Sequence, residues 1–119
     1  MINQKRKLGN SGEDLAVYHL ESKKYKILER NFVLKYGEVD IIAQDGDYIV
    51  IVEVKTKRNV RQGRPEDMVD YFKKRKLRLL ARGISQLYPD NNIRIDVVAV
   101  DMTSTNPKIN HIISAVESL

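Results

Sequence analysis

The sequence predicts an α/β fold, a central mixed β-sheet flanked by helices, in the order helix, three-strand meander, helix, strand. Three observations carry this. Residues 37–44 and 47–56 are apolar runs joined by Asp45-Gly46, a hairpin signal that favours a type I′ turn. Within the second run Ile49-Val50-Ile51-Val52 is apolar on both faces, as a strand in the middle of a sheet must be. A long helical pattern then separates it from another apolar run, Val97-Val98-Ala99-Val100, so the two strands are expected to pair in parallel across a helical crossover.

The elements follow in order. Asn10 or Ser11 is a suitable N-cap for a helix reaching Lys23 or Lys24, with Glu13 and Asp14 in its first turn. Ala16, Val17 and Leu20 are spaced as its apolar stripe, and Glu13, four before Val17, falls on that face. Taken alone, Glu13 reads as a capping acid. Residues 25–34 hold a strand pattern in which Arg30-Asn31 marks a bend. The hairpin follows, then a polar and basic loop over residues 56–64. Pro65, Glu66 and Asp67 suit the start of a second helix that runs to about Leu87. Its expected buried stripe is Val69, Phe72, Leu79/Leu80, Gly83 and Leu87. Residues 88–92 form a turn, residues 93–101 a strand, and residues 109–116 a final strand or helix.

With 119 residues, 42% of them hydrophobic and 31% charged, the chain has the size and composition of one globular domain spanning 1–119. It has no Cys, which excludes disulfides and thiolate metal sites. Lys5-Arg6-Lys7 is not followed by an apolar segment, so no signal peptide is expected. No run approaches the roughly 20 apolar residues of a membrane span. A cytoplasmic protein with no membrane partner is the expectation.

Charge distribution says more. Of 21 basic residues, eleven lie between Val54 and Arg82, against three acids there. A charge run of this kind is commonly a solvated helix face. Directly after an acidic cluster, it suits contact with a polyanion such as nucleic acid. Lys57, Arg58, Arg61, Lys73 and Lys76 are the candidate contacts.

The acidic cluster sits in the hairpin. Glu53 and Lys55 alternate with Val52 and Val54, so they share one face of a buried strand. With the turn centred on Asp45-Gly46, Asp40 is expected opposite Ile51, Glu53 diagonal to it, and Glu38 opposite Glu53. Three carboxylates on one patch repel one another unless a cation or proton intervenes. Mg²⁺ or Mn²⁺ takes oxygen ligands, typically one or two carboxylates plus waters and phosphate oxygens. Asp40 and Glu53, with the carbonyl of Val54, meet that need, and Glu38 is an additional candidate ligand. Lys55 is placed to orient or deprotonate a water, or to neutralise charge building on a phosphate.

Asp40 followed by Glu53-Val54-Lys55 at the end of an apolar strand resembles the PD-(D/E)xK nuclease superfamily, whose fold is restriction-endonuclease-like. Residues 10–16, Arg30-Asn31, and residues 37–43, 52–57 and 94–100 resemble the YraN family of small bacterial endonuclease-like proteins, related to archaeal Holliday-junction resolvases. The resemblance covers nearly the whole chain. It implies a metal-dependent DNA endonuclease with Glu13, Asp40, Glu53 and Lys55 as catalytic residues and Asp40 and Glu53 as metal ligands. It also matches Lys73, as a phosphate contact, together with Glu38 and Asp96. The superfamily's proline before the aspartate is Val39 here, which leaves the ligand in place. The resolvases' arginine after the helix glutamate is Asp14, which argues against carrying over junction specificity. A homodimer acting on branched or damaged DNA is one expectation; a non-catalytic nucleic-acid-binding or adaptor module on the same fold is the alternative. A third, structural reading makes the acids and Lys55 an ion-pair network. His19 beside Leu15 reads as a packed or surface residue, and His111 has no partner at metal-ligand spacing. Tyr36, Tyr48, Tyr71 and Tyr88 read as half-buried packing residues.

Overall fold

A computed structural model of the chain describes residues 11–63 and 71–116. Helix α1 (Ser11–Ser22) leads into strands β1 (Lys26–Leu34), β2 (Gly37–Asp45) and β3 (Tyr48–Lys57). A single 3₁₀ turn (Val60–Gln62) follows, then helix α2 (Tyr71–Leu87) and strands β4 (Asn92–Asp101) and β5 (Lys108–Val116). The expected order is realised, and the final element is a strand. The Asn10 cap, Lys5-Arg6-Lys7, and the helix start at Pro65, Glu66 and Asp67 with Val69 lie outside the described residues. The side chains of Ser11, Tyr71 and Phe72 are likewise outside the description.

One five-stranded sheet in the order β1-β2-β3-β4-β5 forms the middle layer. The strands pair antiparallel except β3 with β4, which run parallel and are joined through α2. On one face Ala16 and Leu20 of α1 pack against Ile41, Ala43, Val50, Val52, Val98 and Val100. On the other, Leu77, Leu80, Ala81 and Ile84 of α2 cover Val39, Ile42, Ile49, Ile51 and Ile95. The doubly apolar run of β3 therefore feeds both cores, and the domain has three layers.

The structure departs from the expected pattern in several details. The α2 stripe is Leu77, Leu80, Ala81 and Ile84, an i, i+3, i+4, i+7 set, whereas Leu87, the last helical residue, is exposed. The hairpin loop is Gly46-Asp47, with Asp45 paired to Tyr48. Gly46 has φ +58° and Asp47 has no positive φ, which fits a type II′ turn with glycine first rather than type I′. The register is accordingly two residues from the expected one: Ile51 faces Ile42, not Asp40.

The predicted loop begins later than residue 56, because β3 continues to Lys57 beside Asp101 of β4. Tyr36 and Tyr48 are exposed, at 52% and 41%, rather than half-buried.

Candidate active site at the open end of the hairpin

The β2–β3 ladder is paired from Asp45–Tyr48 to Ile41–Val52 and goes no further. Just past its last rung, the Val54 N–H donates to Asp40 Oδ2 at 2.8 Å. The Asp40 carboxylate thus takes the place a backbone carbonyl would have held, and an otherwise orphaned amide is satisfied. The corrected register runs straight from Ile41–Val52 toward Asp40 and Glu53, so these two acids come together without Glu38. Glu38 is exposed and paired in register with Val33 of β1.

Glu53 is buried, on the α2 face of β3 with Ile49 and Ile51. Burying a carboxylate is costly unless it is paired. Here Glu53 Oε2 lies 3.2 Å from Lys55 Nζ and 3.0 Å from Lys73 Nζ, so β3 and α2 each supply an ammonium. The expected sharing of one face by Glu53 and Lys55 holds.

Glu13 reaches the same region from α1. Its Oε1 accepts from Arg30 Nε at 2.9 Å and from Asn31 Nδ2 at 3.2 Å, while Arg30 Nη2 donates to Asp14 Oδ1 at 2.7 Å. Asn31 sits at φ +53°, a left-handed conformation that Asn tolerates better than most residues. The bend read at Arg30-Asn31 is therefore the device that turns both side chains onto the helix. Gly12 completes the arrangement: a Cβ there would overlap the Thr56 hydroxyl, so only glycine lets the start of α1 lie against the end of β3.

The electrostatics follow from this crowding. Burial first, then the Glu53 charge, push the Asp40 carboxyl up to about 7, with Glu13 adding to the effect. The Val54 N–H and Lys73 act in the opposite direction. A carboxylic acid raised this far is opposed in its ionised form first by burial and then by the neighbouring Glu53 charge, and a divalent cation would relieve the second of these. Among the described residues no three His, Asp or Glu side chains converge as a ready cage. Asp40 and Glu53 stand as a pair, which suits a hard ion that keeps most of its waters.

The predicted basic contacts lie at different places. Lys57 ends β3, and its carbonyl accepts from Met102 N at 2.8 Å. Arg58 and Arg61 are exposed just beyond it, Arg58 with Nη1 3.9 Å from Met102 Sδ and Arg61 in the 3₁₀ turn. Lys76 is exposed on α2, its ammonium end lying over Gly37 of β2. Lys73 lies on Glu53 itself.

A second polar cluster occupies the other half of the sheet. Asp96 is fully buried and receives Arg94 at 2.9 and 3.0 Å, His111 Nε2 at 2.8 Å and the Ser114 N–H at 3.0 Å. Despite burial, these donors hold its carboxyl below the usual range. Arg94 also reaches Asp45 and Tyr25, at 3.0 and 2.6 Å. His111 does have a partner: its Nδ1 is 3.3 Å from His19 Nε2, a residue 92 positions away that local spacing cannot reveal.

Comparison with known proteins bears on the family and the fold. A UPF0102 protein of Thermodesulfovibrio yellowstonii is 47% identical over 109 residues, covering 91% of this chain and 94% of that protein. One from Syntrophomonas wolfei is 44% identical over 114 residues, covering 92% and 97%. Among solved structures, a repair endonuclease from Pyrococcus abyssi superposes with a TM-score of 0.50 at 21% identity, over 71% of this chain and 35% of that one. The likeness shows the fold, which is restriction-endonuclease-like. The model of the uncharacterised protein family UPF0102, the YraN family, matches residues 12–100, and with such close relatives along nearly its whole length the chain belongs to that family.

Proposed function

We propose that the protein is a metal-dependent DNA endonuclease centred on Asp40, Glu53 and Lys55, with Glu13 in support. The observation that carries this reading is the Asp40 carboxylate, set in the gap where β2 and β3 part, beside buried Glu53 and titrating near neutrality. Asp40, Glu53 and the Val54 carbonyl are the groups that would hold Mg²⁺ or Mn²⁺. When bound, such an ion activates water and offsets charge on the scissile phosphate.

The chain's own residues supply the rest. Val54 fixes the direction of Asp40 through its N–H, and Lys73 and Lys55 orient the Glu53 carboxylate from two sides. In hydrolysis a water oxygen bonds to phosphorus, the bond to one sugar oxygen breaks, and the departing oxygen takes up a proton. Lys55 brings positive charge and N–H donors to where the phosphate gains negative charge. Glu13, fixed by Arg30 and Asn31, adds a second acidic wall from the α1 side. The exposed Arg58, Arg61 and Lys76, with Lys57, are suited to the flanking backbone of a nucleic acid. The Pyrococcus abyssi protein is a repair endonuclease, which makes damaged DNA a reasonable first substrate to try.

The test is a cleavage panel over branched, nicked, single-stranded and duplex DNA with Mg²⁺ or Mn²⁺. Wild type is expected to cut at least one substrate. Asp40→Asn, Glu53→Gln and Lys55→Met are expected to lower the rate on the order of 100-fold or more, with DNA binding retained. Salt-sensitive DNA binding without cleavage of any substrate would replace this reading with a non-catalytic binding module.

A further inference from the structure

We propose that His19 and His111 form a second metal site, separate from the carboxylate centre, for a divalent transition ion of the Zn²⁺ type. The chain has only two histidines, and α1 and β5 bring them edge to face, with ring centres 5.3 Å apart and planes at 78°. His19 Nε2 and His111 Nδ1 are 3.3 Å apart. That is just beyond the usual hydrogen-bond range of about 2.7–3.2 Å. It equals the separation of two nitrogens on one tetrahedral ion, roughly 3.3 Å for metal–nitrogen bonds of about 2.05 Å.

The support behind His111 has the form that metal-binding histidines use. Its other nitrogen, Nε2, lies 2.8 Å from Asp96 Oδ2, and a carboxylate there fixes the tautomer with the proton on Nε2. Nδ1 is left with a bare lone pair directed at His19. Asp96 itself is held rigid by Arg94 and the Ser114 N–H. His19 is half-exposed, so solvent can reach the pair and complete the coordination sphere. Nitrogen donors select Zn²⁺, Ni²⁺ or Cu²⁺ over Mg²⁺, so the two centres would discriminate between ions.

Because the chain has two histidines, imidazole nitrogen NMR reads this site directly. The full-length protein is titrated with ZnCl₂ in excess Mg²⁺, which occupies the carboxylates. One equivalent is expected to move His19 Nε2 and His111 Nδ1 together to metal-bound shifts while His111 Nε2 stays protonated. In His19→Ala, on a half-exposed helix face where alanine folds readily, the His111 response should vanish and calorimetric affinity should fall at least tenfold. His19→Gln should behave in the same way. Movement of neither nitrogen, movement of one alone, or unchanged Zn²⁺ affinity in His19→Ala would overturn the proposal and leave a hydrogen-bonded pair. The readout is independent of DNA cleavage, so it stands or falls apart from the nuclease reading.

Discussion

The Val54 amide and the Asp40 carboxylate are joined by a 2.8 Å hydrogen bond at the point where the β2–β3 ladder stops. Asp40 is thereby both a structural acceptor and the acid most affected by its neighbours. Its folded value of about 7 lies above the ordinary 3.8, so the folded state holds an extra proton between those limits. The sign follows: this group's contribution to stability is greatest below about pH 4 and is lost as pH rises through about 7. Asp40→Asn keeps an acceptor for Val54 and removes the charge. Its melting temperature, followed from pH 4 to 8, is expected to show a weaker decline than wild type. Parallel curves would refute the crowded-charge account.

Lys73 and a metal ion would compete for Glu53, because the Lys73 ammonium already rests 3.0 Å from Glu53 Oε2. Removing it also strips a cation that lowers the Asp40 pKa. Lys73→Met should therefore melt earlier than wild type at pH 8 without metal. It should also gain more from Mg²⁺, with a several-fold tighter midpoint in a thermal-shift titration. An unchanged midpoint would show that Lys73 and the ion do not share the carboxylate.

Asp96 belongs to the scaffold. It is fully buried against Arg94, and Asp96→Asn leaves that guanidinium with only the more exposed Asp45 as counter-charge. A loss of roughly 3–5 kcal/mol is expected in urea unfolding, the usual scale for breaking a buried pair. Its folded pKa is depressed, so the contribution is present above the ordinary carboxylate range and lost as pH falls through the folded value. A loss below about 1 kcal/mol, within the usual range for exposed pairs, would contradict the burial argument.

Gly12 has a steric task. A methyl group there meets the Thr56 side chain, and Gly12→Ala is expected to cost about 1–3 kcal/mol, as overpacking does. Adding Thr56→Ala, which removes both branches of that side chain, should recover much of the loss. No recovery would place the clash elsewhere.

Much of this was legible in the chain. Period-two alternation put Glu53 and Lys55 on one face, and doubly apolar runs marked β3 and β4 as interior strands. The register was not legible to the residue: whether Asp45 or Asp47 belongs to the loop depends on which side of Gly46 the turn closes, and composition does not show that. The error moved Glu38 into the acid pair's place. Arg30 was read as a bend marker, because a salt bridge to Glu13 across 17 positions has no local signature. Lys73 was visible only as one cation in a basic helix. The His19–His111 contact, spanning α1 and β5, required the sheet order itself.

The single bond between Val54 and Asp40 also works as a latch. Below it the hairpin is zipped by backbone pairs; above it the strands part. Any ligand that draws the Asp40 oxygen away must free one amide, and no other ladder bond need change. Hydrogen–deuterium exchange at Val54 thus tells the two modes of capture apart: an ion taken by the other carboxylate oxygen leaves the amide protected, and one that draws Oδ2 away exposes it.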